Sequence, residues 1–273
     1  MKKPEILNWL KNNDPVQLES LYTLADRMRC RHNGNTVHFR GLIEISNYCR
    51  RSCSYCGISV FNTQLVHYRM THKEIMACVR DAVKLQYGTV VLQAGEDPGL
   101  SCGFIEDIIK AVKNETSLAV TLSLGERSEN ELVVWKKAGA DRYLLRFETS
   151  DRNLFTAIHP PAPGQKAVDR ITLLKKLNAI GYETGSGVMV GIPGQTYNSL
   201  AEDIITFKKL NLDMIGVGPF LPHPCTPLGK KKYLQKKNQV SNQEEMIYKM
   251  IALARLHCPE ANIPGTSALA TIN

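Results

Sequence analysis

Three cysteines lie close together in one short stretch of this sequence. Residues 46–59 read SNYCRRSCSYCGIS and place Cys49, Cys53 and Cys56 in a C-x3-C-x2-C pattern. Thiolates are the usual ligands of iron–sulfur clusters, and three of them leave one iron of a four-iron cubane without a protein ligand. The spacing therefore predicts a 4Fe-4S cluster with one iron open to a small molecule.

Zinc is the other metal that clustered cysteines commonly bind. A structural zinc site usually has four ligands, and no second pair of cysteines lies near this stretch, so zinc is the less favoured alternative. The other five cysteines stand alone, which favours buried apolar positions over metal binding: Cys30, Cys78, Cys102, Cys225 and Cys258.

The segments around the cysteines predict an α/β fold. Short apolar segments alternate with longer segments of helical periodicity, as in parallel strands joined by helical crossovers. An eight-stranded barrel needs one strand more than we find, so we predict an incomplete TIM-type barrel with about seven of the eight strands. The predicted strands cover 37–46, 89–93, 118–123, 142–147, 186–190, 214–217 and 262–268. Predicted helices cover 71–87, 103–114, 128–138, 167–180, 199–210 and 243–257.

The chain divides near residue 36 in this interpretation. Residues 1–36 form an N-terminal helical extension, because leucines recur there at helical spacings, and residues 37–273 form the barrel domain. We expect the C-terminal end of the barrel to be missing, because the sequence ends before an eighth strand.

Composition and charge narrow the class of protein. The 273 residues are 43% hydrophobic and 22% charged, which is ordinary for a globular protein. No signal peptide or membrane span is recognisable, so we expect a cytoplasmic protein without a membrane partner. The net charge of +8 owes much to the segment 230–237, which we interpret as a solvated loop. No motif for binding nucleic acid accompanies it, and we expect no nucleic-acid partner.

Several segments beyond the cysteines resemble one known family. They read RGLIEISNYCRRSCSYCGI, VVLQAGED, TLSLGER, DRYLLRFETSD, GYETGSGVMVGIPGQT and DMIGVGPFLPHPCTPL. Together they resemble the HydE-type maturases of FeFe-hydrogenase, which are radical S-adenosylmethionine enzymes related to biotin synthase and methylornithine synthase. The resemblance covers about 37–272 and implies two cofactors, a 4Fe-4S cluster and S-adenosylmethionine.

The resemblance also implies roles for individual residues. The cysteines would hold the cluster, and the residues that would bind S-adenosylmethionine are Tyr55, Gly95, Glu96, Ser123, Glu148, Arg170 and Met189. Those that would face the substrate are Arg146, Thr266 and Ser267.

Three of these residues also have simpler explanations. Glu96 could be an acid at a helix N-terminus, Arg170 could form a surface salt bridge, and Met189 could be plain core. Arg146 and Glu148 fall on one face of a strand, and such an inward pair is costly to bury unless the two serve each other or a ligand.

Two features depart from the HydE pattern. Phe147 stands where the family has a histidine, and the family's last helix, eighth strand and accessory-cluster segment are not in this sequence.

The implied reaction is reductive cleavage of S-adenosylmethionine to methionine and a 5′-deoxyadenosyl radical, with an electron donor such as ferredoxin or flavodoxin. The implied substrate is a small or organometallic molecule, and a HydF-like scaffold is a further expected partner. Two alternatives stay open, namely a methylornithine-synthase-like radical mutase and a non-catalytic fragment that binds an iron–sulfur cluster.

Overall fold

A parallel six-stranded sheet forms the centre of the molecule. The computed structural model describes residues 1–161, 169–230, 239–241 and 243–271. Neighbouring strands in the sheet are also consecutive in the chain, and every pair is parallel. The strands are β1 (Gly41–Ser46), β2 (Thr89–Ala94), β3 (Ala119–Ser123), β4 (Arg142–Leu144), β5 (Glu183–Val190) and β6 (Met214–Pro219).

Helices separate successive strands and pack against the sheet. This is the alternation of a TIM-type barrel, and the sheet is not closed, because within the described residues β1 and β6 are its two edges. The helices are α1 (Lys3–Lys11), α2 (Pro15–Asn33), α3 (His72–Lys84), α4 (Cys102–Glu115), α5 (Glu129–Ala138), α6 (Arg152–Ile158), α7 (Arg170–Ile180), α8 (Tyr197–Lys209), α9 (Glu244–His257) and α10 (Ser267–Ala270).

Local sequence explains where several helices begin and end. Thr71 and Ser128 precede α3 and α5, and each accepts a hydrogen bond from the backbone of a glutamate three residues later, which caps it in return. Helices α5 and α7 end at Gly139 and Gly181, whose φ angles of 112° and 96° need a residue without a Cβ atom.

The N-terminal helices belong to the same apolar core as the strands. Leu10 and Leu21 are fully buried in that core. The buried Lys249 on α9 donates through Nζ to Oδ1 of Asn13 at 3.0 Å, and Arg255 donates through Nη1 to Oδ1 of Asn33 at 2.7 Å. The predicted division near residue 36 coincides with the connection between α2 and β1, and it stays a prediction about folding units.

The predicted seventh strand over 262–268 is wrong. Asn262 forms one isolated parallel bridge with Met214, and α10 then begins after Thr266, whose side chain accepts from the backbone of Leu269. Pro264 and Gly265 interrupt the segment, since proline lacks the N–H that a strand ladder needs. The described residues therefore contain six strands rather than seven.

Other boundaries differ less. Strand β4 stops at Leu144 instead of residue 147, and the short helix α6 was not predicted. Helix α7 begins at Arg170, and residues 162–168 lie outside the described part of the chain, as does the basic segment beyond Lys230, up to residue 238. No helix in the described ranges is long and apolar enough to cross a membrane.

Candidate active site

The loop that carries the three cysteines follows β1 directly. We call residues 47–62 the cysteine loop. Its backbone is tied to three other parts of the fold, because Arg50 N donates to Glu96 O at 3.1 Å, Ser54 N donates to Ile158 O at 2.9 Å, and Tyr55 O accepts from His223 N at 2.9 Å. The loop is therefore held at the carboxyl ends of the strands, where active sites of TIM-type barrels lie.

Cys49, Cys53 and Cys56 line one cavity of about 320 Å³ at this end of the sheet. All three are free thiols. Burial raises the pKa of each, and that of Cys53 to about 12, so the metal-free protein carries protonated thiols that must release protons when they bind metal.

The three thiols do not form a site for a single ion. Among the described residues, no group of three histidine, cysteine, aspartate or glutamate side chains is arranged to hold one metal ion. In a cubane cluster each cysteine binds a different iron, so the sulfurs need not converge on one point.

Gly95 and Glu96 follow β2 and lie against the cysteine loop. A Cβ atom on Gly95 would collide with Tyr48 O and would lie 2.6 Å from Cys49 Cβ, so only glycine fits there. Glu96 is 5% exposed. Helix α4 does not begin until Cys102, so Glu96 is not an acid at a helix N-terminus.

Glu96 belongs to a buried network of alternating charges. Its Oε2 lies 3.8 Å from Arg51 Nε, and its Oε1 accepts from Glu126 N at 3.3 Å. Glu126 in turn pairs with Arg51 at 3.4 Å and with Arg170 Nε at 2.8 Å. Burial and then Glu126 raise the pKa of Glu96.

Arg170 is the first residue of α7 and is not on the surface. Its side chain is 10% exposed, and Nη1 donates to Arg146 O at 2.8 Å. Burial lowers its pKa, but Glu126 outweighs that effect and keeps the guanidinium charged. The simpler alternative of a surface salt bridge is therefore wrong, since Arg170 and Glu126 pair in the interior.

Glu148 and Arg146 also line the cavity. Arg146 Nη2 lies 3.2 Å from Glu148 Oε2 and donates to Val188 O at 2.6 Å. The Tyr55 hydroxyl lies 3.4 Å from Glu148 Oε1 and 3.1 Å from His159 Nε2. Burial and then Arg170 lower the pKa of His159 to about 2, so this ring stays neutral.

The structure brings most of the predicted residues together and leaves three apart. Ser123, at the end of β3, lines the cavity with the cysteines, Gly95 and the charged residues. Met189 is buried in a small cluster with Ile158, Ile192 and Phe220, outside the cavity lining. Thr266 and Ser267 do not line it either, and Thr266 Oγ1 donates to Val217 O at 3.2 Å.

Sequence reasoning missed Arg51, Glu126 and His159. Arg51 and Glu126 occur inside segments that were recognised, but neither residue type signals by itself that it will be buried beside Arg170. His159 lies at the end of α6, a helix that was not predicted.

Unsatisfied groups in the cavity walls suit a charged ligand. Glu96 Oε2, Glu148 Oε2 and Arg146 Nε are buried and have no hydrogen-bond partner within the described residues, although the two carboxylate oxygens lie 3.8 and 3.2 Å from arginine nitrogens. Such atoms cost free energy unless a ligand completes them. S-adenosylmethionine carries an ammonium and ribose hydroxyls that donate and a carboxylate that accepts, so the residues present fit it beside a cluster on the three thiols.

Comparison with known proteins shows the family of the chain. The family model of the radical SAM superfamily matches residues 43–207, more than half of the chain. The [FeFe] hydrogenase maturase subunit HydE of Thermotoga maritima is 44% identical over 263 residues, which cover 96% of this chain and 72% of that protein. The 3-methylornithine synthase of Methanosarcina acetivorans is 29% identical over 260 residues, covering 94% and 70%.

Solved structures share the fold. The crystal structure of methylornithine synthase (PylB) superposes with a TM-score of 0.84 at 26% identity and covers 96% of this chain and 75% of that one. The maturase HydG of Carboxydothermus hydrogenoformans gives a TM-score of 0.84 at 18% identity, covering 99% and 64%, which shows the fold alone.

The predicted cofactors follow from the family and from the donor set. A 4Fe-4S cluster and S-adenosylmethionine are the cofactors of radical SAM enzymes, and this cavity offers three thiols together with carboxylates and arginines for them. With a matching family model and a HydE relative that matches nearly the whole chain, the protein belongs to the radical SAM superfamily and is an enzyme similar to the HydE maturases.

Proposed function

We propose that this enzyme cleaves S-adenosylmethionine reductively during assembly of the active-site cluster of FeFe-hydrogenase. The observation that carries the proposal is the shared cavity, in which the three cysteines face Glu96, Glu148 and Arg170. The 44% identity to a HydE maturase supports this pathway over other radical SAM reactions.

The residues of the chain bind and orient rather than transfer protons. The thiolates of Cys49, Cys53 and Cys56 would hold the cluster, and the carboxylates of Glu96 and Glu148 would receive the ammonium and the ribose hydroxyls of S-adenosylmethionine. Arg170 would meet its carboxylate. When bound and reduced, the cofactors supply a 5′-deoxyadenosyl radical. The protein holds the reacting atoms in place and excludes water from them.

Four other predicted residues have less direct support. Arg146 lines the cavity, which supports contact with a small or organometallic substrate, whereas Thr266 and Ser267 lie outside the lining. Met189 belongs to a small apolar cluster against which Tyr55 packs, which supports only an indirect role toward S-adenosylmethionine.

The pathway also implies partners and a location. A HydF-like scaffold would receive the product, a ferredoxin or flavodoxin would deliver the electron, and the reaction would take place in the cytoplasm. Support for these comes from the similarity to HydE.

The first experiment tests cleavage itself. The chain is reconstituted anaerobically with iron and sulfide, reduced and supplied with S-adenosylmethionine, and 5′-deoxyadenosine is quantified. We expect product from the wild type and from Cys78→Ala, which changes a half-buried cysteine on α3, but none from Cys53→Ala. Absence of product from a fully loaded wild-type cluster would contradict the proposal and leave a cluster-binding module.

A radical mutase is the second candidate, supported by the 29% identity to 3-methylornithine synthase. A complementation experiment distinguishes the maturase from the mutase. Expression in a host that lacks its own HydE but holds the other maturases and an FeFe-hydrogenase should restore hydrogen evolution. Accumulation of 3-methylornithine without hydrogenase activity would favour the mutase.

A further inference from the structure

Glu148 has an unusual backbone conformation for a residue with a side chain. Its φ angle is 62°, and Thr149 N donates to Phe147 O across it at 2.7 Å. A hydrogen bond from residue i+2 to residue i around a positive φ is the pattern of a γ-turn with left-handed φ, which is rare and strained outside glycine. The conformation persists only where surrounding contacts impose it.

Strand β5 binds the backbone on both sides of Glu148. Glu148 N donates to Gly187 O at 2.9 Å, and Glu148 O accepts from Met189 N at 3.0 Å. These two bonds fix the position of residue 148 beside β5.

Asp203 on α8 binds the chain just after the turn. Its Oδ1 accepts from both the backbone N and the Oγ of Ser150, each at 2.6 Å, and lies 3.4 Å from Thr149 Oγ1. The two residues that follow Glu148 are thus bound by a single carboxylate oxygen.

Burial of the Asp203 carboxyl at this position costs free energy. Asp203 is fully buried, its Oδ2 has no hydrogen-bond partner within the described residues, and the charged neighbour that acts on it is another acid, Asp151. Burying a carboxyl without a cation costs free energy that an apolar residue on α8 would avoid. This cost indicates that the hydrogen bonds from Ser150 to Asp203 stabilise the turn.

We propose that Asp203 is a positioning residue that holds the left-handed turn at Glu148 and so keeps the Glu148 carboxylate at the cavity. The functional part of the proposal rests on the proposed binding of S-adenosylmethionine by Glu148. The conformational part does not depend on it.

A stability cycle tests the conformational part in the full chain without cofactors. Residue 148 is changed to alanine or to glycine, each with Asp203 or with Asp203→Ala, and the unfolding constant is measured in urea. Alanine is strained at positive φ and glycine is not, so with Asp203 present glycine should lower the unfolding constant by about fivefold relative to alanine. With Asp203→Ala the turn relaxes, and this advantage should vanish or reverse.

The control is Thr206→Ala, another buried polar residue on α8. It should change stability while leaving the difference between glycine and alanine at residue 148 intact. If the advantage of glycine persists undiminished with Asp203→Ala, then Asp203 does not hold the turn and the proposal is overturned.

The functional part is tested through the KM for S-adenosylmethionine in 5′-deoxyadenosine formation. Asp203→Asn keeps an oxygen that can accept from Ser150, so its KM should stay within about threefold of the wild type, whereas Asp203→Ala should raise it about tenfold or more. Equal KM values for the two variants would overturn the functional part. A wild type that forms no 5′-deoxyadenosine would contradict the proposed function instead, and the stability cycle would still decide the conformational part.

Discussion

Glu126 is held between two arginines that are themselves mostly buried. Its carboxylate pairs with Arg51 and Arg170, and its backbone N–H donates to Glu96. The partner that would meet S-adenosylmethionine, Arg170, is therefore oriented by a residue that never needs to touch the ligand. Buried charges of this kind are stable only as a set, because each one left alone in the interior is costly.

Glu126→Gln should therefore destabilise the protein and weaken binding together. Removing one partner of a buried pair typically costs about 3 kcal/mol, and a misplaced Arg170 should raise the KM for S-adenosylmethionine. The double variant Glu126→Gln/Arg170→Gln should lose clearly less stability than the sum of the two single losses, because neither charge is then left unpaired. Urea unfolding of the four proteins measures this coupling. Strict additivity would show that the two side chains do not stabilise each other.

Gly95 gives a second test at a single residue. A methyl group at Gly95 would meet Tyr48 O and the Cβ of Cys49, so Gly95→Ala should push the cysteine loop out of place and lower the iron and sulfide bound per chain by about half or more. Gly103→Ala is the matched control, because nothing lies within 4 Å of its added Cβ atom and glycine is unfavourable inside α4. Equal cluster content in both variants would contradict the close approach inferred at Gly95.

The strands and helices that position these residues differ in how well they can be predicted from the sequence. The parallel strands β1, β2 and β3 could be predicted, because their apolar runs and the capped helices between them leave strong local signals. The cysteine loop follows β1, Gly95 follows β2, and Ser123 is the last residue of β3. Their places at the cavity were predictable once the strands were known.

The connection after β4 could not be predicted in the same way. It includes a left-handed glutamate, hydrogen bonds donated by Ser150 to Asp203 far along the chain, and the short helix α6, which ends at His159. None of these leaves a local pattern, since glutamate does not favour positive φ. The mistaken strand over 262–268 has a different cause, because the sequence does carry a local signal there: Pro264 and Gly265 end the extended segment, and Thr266 then caps a helix.

Helix α8 contributes a pH dependence through the same carboxyl. Burial raises the pKa of Asp203 to about 7, although hydrogen bonds from Ser150 and Thr149 oppose the shift. An aspartate in the unfolded chain has a pKa of about 3.9, so between about pH 4 and pH 7 the folded state holds a proton that the unfolded state has lost. The stability due to this proton is present below about pH 4 and is lost as the pH rises to about 7.

Asp203→Asn should remove this dependence. Relative to the variant, the unfolding constant of the wild type should rise with pH by up to about tenfold per unit across the window and then level off above about pH 7. Urea unfolding of both proteins at about pH 5, 6, 7 and 8 at constant ionic strength measures the difference. Parallel stability curves would show that Asp203 binds no extra proton in the folded state.

At the scale of the whole molecule, the N-terminal helices pack against helices of the barrel. Helix α2 packs against α9, and α1 packs against α8 and α9. The side chains of Lys249 and Arg255 find hydrogen-bond partners at Asn13 and Asn33 in and between those helices. Because α8 also carries Asp203, the helical layer that begins at the N-terminus is linked by packing to the turn at Glu148.

We therefore expect α2 to unfold together with the barrel. Leu21 is 1% exposed and Leu24 is 50% exposed on the same helix. Leu21→Ala should cost about 3 kcal/mol in the free energy of unfolding, whereas Leu24→Ala should cost less than about 0.5 kcal/mol. The fluorescence of Trp135, fully buried on α5, reports the barrel once Trp9 in α1 is replaced by phenylalanine in every protein compared. If α2 were an independent extension, Leu21→Ala would leave the Trp135 transition where it was. A shift of that transition by Leu21→Ala alone would show that the N-terminal helices and the strands fold as one unit.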